Sequence, residues 1–408
     1  MSFDSQAIRS AFPLLDQAHD PPLHYLDNAA TAQIAQPVLE AMHAHETTRR
    51  ANVLRGVHRL AEAATEAYHD ARAVVADHLG ATEPDEVIFT GGCTAALNLV
   101  AHAFGATLAP GDEVVISELE HHSNIVPWQM LRDRTGIRLR TIPVTAAGRL
   151  DLAALPERLG PRTRLIAVTH ASNVTGALTD VGAIVAAARA VGARVLLDGA
   201  QYVPHAQVDV RALGVDFYCF SGHKVFGPNG IGVLWVRREV LDGLPPFMGG
   251  GEMIRRVTLA ETTYAPPPQR FEAGTPPIAQ AVGLAAALAW LAEQDPAAVG
   301  LHLDTLTQRL VEGLAAFGAD RVRLLGPAPG EPRGPIAAFD APGAHPHDIA
   351  QLLDARGVAV RGGHHCAQPL MDAFDLAGTT RASLALYNDA TDVDAALEAL
   401  EAALRKLL

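Results

Sequence analysis

Phe217-Tyr218-Cys219-Phe220-Ser221-Gly222-His223-Lys224 is an apolar, strand-like run that stops at a small polar turn ending in lysine. Lysine and arginine together number 32, yet only Lys224 and Lys406 are lysines. Lys406 falls in a helix-like, solvated tail. Arginine carries charge but stays protonated, whereas lysine can lose its proton and form a Schiff base with an aldehyde. A surface lysine at a strand end is the plain alternative for Lys224, and the residues upstream weigh against it.

Upstream, Val195-Leu196-Leu197-Asp198-Gly199-Ala200-Gln201 sets a carboxylate at the end of an almost entirely apolar strand. An ionised carboxylate there needs a cationic partner or several donors, because burying it alone is costly. A protonated pyridine nitrogen is such a partner. Further upstream, Val87-Ile88-Phe89-Thr90 leads into Gly91-Gly92-Cys93-Thr94 and then a helical pattern. A glycine turn opening a helix offers free N–H groups to a phosphate. It lacks the spacing of a Walker loop or a dinucleotide fingerprint, and a capped helix after a tight turn explains it equally well. Strand, carboxylate, crossover, strand and lysine taken together fit pyridoxal 5′-phosphate better than any part does alone.

Around these stretches, β-rich runs at 87–90, 114–117, 165–169, 195–198, 217–220 and 231–236 alternate with helical patterns such as 95–104 and 181–191. That alternation predicts an α/β fold with a large, doubly wound, mainly parallel sheet. Polar groups follow directly on these strands, and in such a sheet they converge on one crevice at the carboxyl ends. Pro- and Gly-rich sequence at 244–251 and 266–277 marks a change of pattern. Helices at 279–293 and 303–317 and strands at 335–339 and 358–361 follow. The expected division is a large cofactor-binding domain, 23–278, and a smaller α+β domain formed by 1–22 and 279–408.

Apolar residues make up 49% and charged residues 19%, ordinary for a globular enzyme. The net charge of −13 argues against nucleic acid or an anionic membrane as a general partner. Met1-Ser2-Phe3-Asp4-Ser5 lacks a signal-peptide pattern, and the apolar stretch 279–291 is too short to span a bilayer. Three cysteines without paired spacing predict neither a disulfide framework nor a metal centre, so a cytoplasmic protein is expected. Among 18 histidines, His43, His45, His58, His69 and His78 are expected to face solvent.

Several further motifs stand out: Tyr25-Leu26-Asp27-Asn28-Ala29-Ala30, Glu120-His121-His122-Ser123-Asn124, Thr169-His170-Ala171-Ser172-Asn173 and Phe271-Glu272-Ala273-Gly274-Thr275-Pro276. The most diagnostic is Val360-Arg361-Gly362-Gly363-His364-His365-Cys366-Ala367-Gln368-Pro369-Leu370. With these, the chain resembles, almost end to end, the class V branch of fold-type I pyridoxal phosphate enzymes. Within that branch it is most similar to the SUF-type (group II) cysteine desulfurases.

The resemblance implies that Lys224 binds the cofactor and moves the substrate proton, while Asp198 keeps the pyridine nitrogen protonated. It implies that His121 stacks on the ring and helps in proton transfer as a catalytic residue, and that Asn173 and Gln201 bond the phenolic oxygen. Thr94, Ser221 and His223 would hold the phosphate, with Thr275 entering from the second subunit of a homodimer. Cys93 stands where many relatives have threonine, so a hydroxyl contact there is lost or replaced by backbone N–H. Leu54 likewise replaces a histidine beside Arg55. Arg381 would clamp the substrate carboxylate through its planar fork, with Arg361 assisting or facing Cys366, and Asn173 and Asn28 also on the substrate side.

A buried cysteine is ordinarily an inert small hydrophobe, a reading that suits Cys219 and, as a packing substitute, Cys93. Cys366 differs, because glycine and two histidines precede it in a polar, potentially cationic setting that favours thiolate. It is expected to take sulfur from L-cysteine as a persulfide, leaving alanine, and to supply that sulfur for iron–sulfur cluster assembly. Selenocysteine or cysteine sulfinate as substrate, class V transamination, and a non-catalytic sulfur-carrier scaffold are the alternatives. Retention of Lys224, Asp198, His121 and Arg381 together argues against the scaffold. Finally, His345-Pro346-His347-Asp348 resembles a run found in relatives that use a zinc-carrying acceptor of the SufU type rather than a SufE-type one. His347 is then an expected zinc ligand toward that acceptor, with capping of the following helix by His347 or Asp348 as the plain alternative.

Overall fold

Seven strands form the main sheet of the structure, a computed structural model that describes residues 3–408. They are β1 (Val87–Thr90), β2 (Glu113–Ser117), β3 (Arg138–Ile142), β4 (Thr163–Thr169), β5 (Arg194–Asp198), β6 (Phe217–Ser221) and β7 (Gly232–Val236), in the order β1-β7-β6-β5-β4-β2-β3. Only β7 runs against its neighbours, so six strands share one direction and one carboxyl edge. Successive side chains alternate between two cores. Val195, Leu197, Tyr218 and Phe220 pack with Tyr68, Val75, Ile184 and Val185 on one face. Leu196, Phe217 and Cys219 pack with Leu97, Val100 and Trp128 on the other. Burial on both faces explains why these strands read as continuous apolar runs.

The expected strand 87–90 and helix 181–191 coincide with Val87–Thr90 and Val181–Val191, and the other expected strands differ by one or two residues at an end. β3 escapes the sequence because it is the sheet's edge. Of Arg138-Leu139-Arg140-Thr141-Ile142 only Ile142 is buried, and an edge strand needs no apolar run.

A second, antiparallel sheet contains β8 (Arg323–Leu325), β9 (Ile336–Asp340), β10 (Arg361–Gly363) and β11 (Thr379–Ser383), ordered β8-β9-β11-β10. Helices Pro296–Ala316 and Ala390–Leu407 share its core through Leu306, Leu310, Phe339 and Leu400. The first of these begins earlier than expected, at Pro296, where Asp295 accepts the Ala297 N–H at 3.0 Å. An acidic cap followed by proline is a start signal the sequence already carried. The expected strand 358–361 is split: Val358–Ala359 pairs with His24–Tyr25, and β10 pairs with β11. His24–Tyr25 therefore sits against C-terminal sequence, past residue 22.

The histidine expectations need correction. His45 is buried, and His78 buries an Nε2 that has no partner. Exposed His58 accepts the Ala61 N–H at 3.2 Å and caps helix Arg59–His78. Helical periodicity turned the first two inward, which polar neighbours in sequence concealed.

Glu272 ties helix Arg59–His78 to the edge strand β1. It accepts both guanidinium arms of Arg72 at 2.7 Å, the Tyr68 hydroxyl at 2.9 Å and the Phe89 N–H at 2.7 Å. The pair is nearly sealed from water, with side chains 2% and 6% exposed. Removing one partner of such a pair strands the other charge. Arg72→Ala is expected to cost about 3–5 kcal/mol in urea unfolding, and a loss below about 1 kcal/mol would show that the pair is not an anchor.

Candidate active site

The shared carboxyl edge and the second sheet enclose a cleft that is partly open to solvent. Thr169, Asp198 and Ser221 reach it from the ends of β4, β5 and β6, and His121 and Ser123 from the loop after β2. Cys93 and Thr94 open the helix after β1, while Arg361 and Arg381 come from β10 and β11. Of the residues singled out in sequence, Cys93, Thr94, His121, Asn173, Asp198, Gln201, Ser221, His223, Lys224, Arg361, Cys366 and Arg381 line this one space.

At the floor, Asp198 Oδ1 accepts the Ala200 N–H at 3.0 Å and the Cys93 thiol at 3.2 Å. Among the described residues, Oδ2 has no hydrogen-bond partner and no cation pairs with the carboxylate. Lys224, half-buried in the same cleft, makes no side-chain hydrogen bond. Burial lowers its ammonium below the ordinary lysine value, against the opposing pull of Asp198. A carboxylate awaiting a cation and an amine eased toward neutrality are what a pyridine aldehyde requires.

His121 forms another wall. Its Nδ1 accepts the Ser123 N–H at 3.1 Å, so the neutral ring carries its proton on Nε2. Burial, followed by the charge of Lys224, pushes this ring down to about 4, and the same causes in the same order push His223 to about 4. Both are uncharged at neutral pH. Helix Cys93–Ala103 begins without a side-chain cap. Ser221 Oγ takes the Cys93 N–H at 2.9 Å, and among the described residues the next two amides of that first turn, Thr94 and Ala95, have no hydrogen-bond partner, with Thr94 lining the cleft. Those amides, with the Thr94 and Ser123 hydroxyls 2.7 Å apart, make a cradle for a phosphate.

Opposite, Arg361 and Arg381 are cross-strand partners, a like-charge pairing that is unfavourable without an anion between them. Arg381 is 1% exposed and donates to the Asn173 carbonyl at 2.9 Å and to Asp27 at 3.1 Å, yet its Nε has no partner among the described residues. Burial lowers its pKa, with Asp27 opposing. Arg361 has no ion pair or side-chain hydrogen bond among the described residues. Asp27 pairs with Arg381 alone, so the two guanidinium groups leave room for a further carboxylate, from a ligand.

Cys366 sits on an unusual turn. His365 and Cys366 have φ of 53° and 56°, consecutive non-glycine residues in the left-handed region at a cost of order 1–3 kcal/mol each. Contacts hold the turn: Asn173 Nδ2 to the His365 carbonyl at 2.8 Å, the Cys366 N–H to His364 Nδ1 at 3.1 Å, and the His122 N–H to the Cys366 carbonyl at 2.7 Å. The expected cationic setting is corrected in its source. Burial, then Arg381 and Arg361, pushes His365 to about 2, so it is neutral, and positive charge near the thiol comes from the arginines.

Three expected residues lie elsewhere. Asn28 is buried outside the cleft, donating to Tyr25, Ser383 and Asn388 and accepting from Tyr387. With both ends of its amide engaged it fixes the backbone leading to Ala29 and Ala30, which do line the cleft, and substrate contact is corrected to this supporting place. Thr275 is exposed outside this chain's cleft, so its expected role needs a second copy. His347 is exposed, its ring against Gly362 and Gly363, next to the segment that leads to Cys366. Capping is corrected: His345, not His347 or Asp348, is the N-cap of helix Pro346–Asp354, its Nδ1 accepting the His347 N–H at 3.3 Å.

Other residues were not legible. Ser123 bridges Thr94 and His121, and Asp27 pairs with Arg381 across the whole length of the chain. Glu120, fully buried behind the cleft, accepts from Ser117, Asn124 and the Thr169 N–H, and burial pushes it up to about 8 against those bonds. Cys93 does more than pack: it bonds Asp198 and lies 3.4 Å from Cys219, and the donor atoms of these three lie within 4.8 Å of one another. The Cys219 contact, then burial, raises the Cys93 thiol well above its ordinary value, and burial raises Cys219.

The aminotransferase class-V family model matches residues 24–396. A probable cysteine desulfurase of Streptomyces coelicolor is 47% identical over 405 residues, covering 98% of this chain and 96% of its own. The crystal structure of the Escherichia coli cysteine desulfurase CsdA, in an S-sulfonic acid form, superposes with TM-score 0.91 at 38% identity over 100% of both chains. A lysine-to-alanine mutant of C-DES, with glycine covalently linked to its PLP cofactor, has TM-score 0.81 and 25% identity over 96% of this chain and 98% of its own.

Proposed function

This chain belongs to the class V aminotransferase family and has the fold-type I architecture, its full-length relatives are cysteine desulfurases, and we infer that it is one of them. In this reading it moves the sulfur of L-cysteine onto Cys366 and releases alanine. The observation that carries it is a thiol in one cleft with Lys224, Asp198 and the Arg361–Arg381 pair, since transamination has no use for Cys366.

The residues fit pyridoxal 5′-phosphate: the unpaired Asp198 oxygen, the unpartnered Lys224 amine and the open amides of Thr94 and Ala95 match its ring nitrogen, aldehyde and phosphate. When bound, that cofactor supplies an electron sink for negative charge at the substrate Cα. Arg381 and Arg361 bind the substrate carboxylate and point its sulfur at Cys366. Lys224 Nζ, eased toward neutrality by burial, takes and returns the Cα proton. His121 walls the ring position as a neutral imidazole. Cys366 Sγ attacks the substrate sulfur, an S–S bond forms, and the Cβ–S bond breaks with its electron pair leaving on carbon, which is later protonated to alanine. Sulfide and alanine measured from L-cysteine beside pyruvate-dependent transamination test this, and transamination without sulfur release would overturn it. Selenocysteine and cysteine sulfinate are served by the same residues and belong in the same assay.

We further place the chain in the SUF-type (group II) subtype, on the sequence 360–370, as a cytoplasmic homodimer supplying iron–sulfur cluster assembly. Exposed Thr275, outside its own cleft, supports a second copy, and a cysteine that must stay reduced suits the cytoplasm. No described helix is long and apolar enough to cross a membrane. The sulfur acceptor is proposed to be a small zinc-carrying protein of the SufU type. His347 supports this, an exposed imidazole beside Gly362 and Gly363 that can replace a zinc-bound thiolate and free it to attack the persulfide. His347→Ala is expected to keep reductant-driven turnover and lose stimulation by the zinc-loaded acceptor, whereas full stimulation, or stimulation by a SufE-type acceptor only, would refute it.

A further inference from the structure

We propose that His122 is a positioning residue for Cys366, its imidazole clasping the turn that presents the nucleophile. The proposal rests on the desulfurase reading and deepens it. His122 follows β2, on the large sheet, whereas Cys366 follows β10, on the small one. Two bonds from this one residue cross between them and grip the chain immediately after the cysteine, on either side of Ala367. The His122 N–H donates to the Cys366 carbonyl at 2.7 Å, and His122 Nε2 accepts the Gln368 N–H at 3.1 Å. Because Nε2 accepts, the neutral ring holds its proton on Nδ1.

Without this clasp the left-handed backbone at His365 and Cys366 keeps the local His364 contacts, the Asn173 bond to the His365 carbonyl and the His365 ring on Thr379, and none of these holds the chain after Cys366 to the large sheet. The neighbouring residue, His121, forms the cleft wall. The two adjacent histidines therefore register nucleophile and cofactor positions against a single piece of backbone. Reach matters at this point, because Sγ must meet a substrate sulfur held by Arg381, and a displacement of about 1 Å costs on the order of 10²-fold in rate. His122 touches neither ligand and acts through Cys366.

The test is single-turnover sulfur transfer in the cofactor-loaded enzyme, followed by mass spectrometry of the Cys366 peptide. His122→Ala removes the acceptor and is expected to slow sulfur arrival on Cys366 at least about tenfold while KM for L-cysteine stays within about twofold and cofactor absorbance is unchanged. His122→Gln, whose amide oxygen reaches about as far as Nε2, is expected to restore the rate to within about threefold and also fills the space if the alanine variant folds poorly. An alanine variant within about twofold of the parent, or a folded, loaded glutamine variant as slow as alanine, would overturn the proposal. A parent protein that gains no sulfur on Cys366 would overturn the desulfurase reading beneath it, an outcome distinct from both.

Discussion

Replacing Cys366 with alanine is expected to lower sulfur release from L-cysteine by at least about 100-fold, roughly 2.7 kcal/mol of barrier, while cofactor loading stays complete. The size follows from the absence of a substitute in the cleft. Cys93 is buried, its thiol engaged with Asp198 and raised well above the ordinary range, and Cys219 is buried behind it. Neither offers a thiolate at neutral pH, whereas Cys366 is partly exposed and lines the cleft beside Arg381. Loading is spared because Cys366 bonds none of the residues that form the floor or the phosphate cradle. Brief exposure of the parent to cysteine should add sulfur to the Cys366 peptide. Normal alanine production by the mutant would refute the nucleophile.

Lys224→Ala is expected to remove both turnover and the absorbance of lysine-bound cofactor. Borohydride reduction of the loaded parent should attach the cofactor to one internal peptide, because Lys406 is the only other lysine. Lys406 stands on the C-terminal helix Ala390–Leu407, in the half of the chain that carries the small sheet, and has no part in the cleft. Lys224 is set there by the turn after β6, with burial lowering its proton affinity. Arginine at position 224 would not rescue, since its guanidinium keeps its proton. Label on Lys406, or unchanged absorbance in the mutant, would overturn the assignment.

Much of this molecule is decided along the chain. The buried strands read as apolar runs because both of their faces are covered, and those that share one direction end in a polar residue because only their carboxyl edge opens to the cleft. Strand and active-site residue are thus neighbours in sequence, which makes Asp198, Ser221, Lys224 and Thr94 legible without coordinates. The motif around Cys366 is equally local. What the sequence could not specify involves partners far apart. His122 with Cys366 and Gln368, and Asn173 with His365, meet only when two sheets are brought together, and Asp27 with Arg381 and Cys93 with Asp198 and Cys219 meet only when distant segments pair within the folded chain. The same holds for charge. Two histidines before Cys366 suggest a cationic site, but burial makes His365 neutral and leaves the positive charge to arginines on neighbouring strands. Periodicity and turn chemistry act over a few residues and can be read directly, whereas desolvation depends on everything packed around a group and exists only in the folded chain.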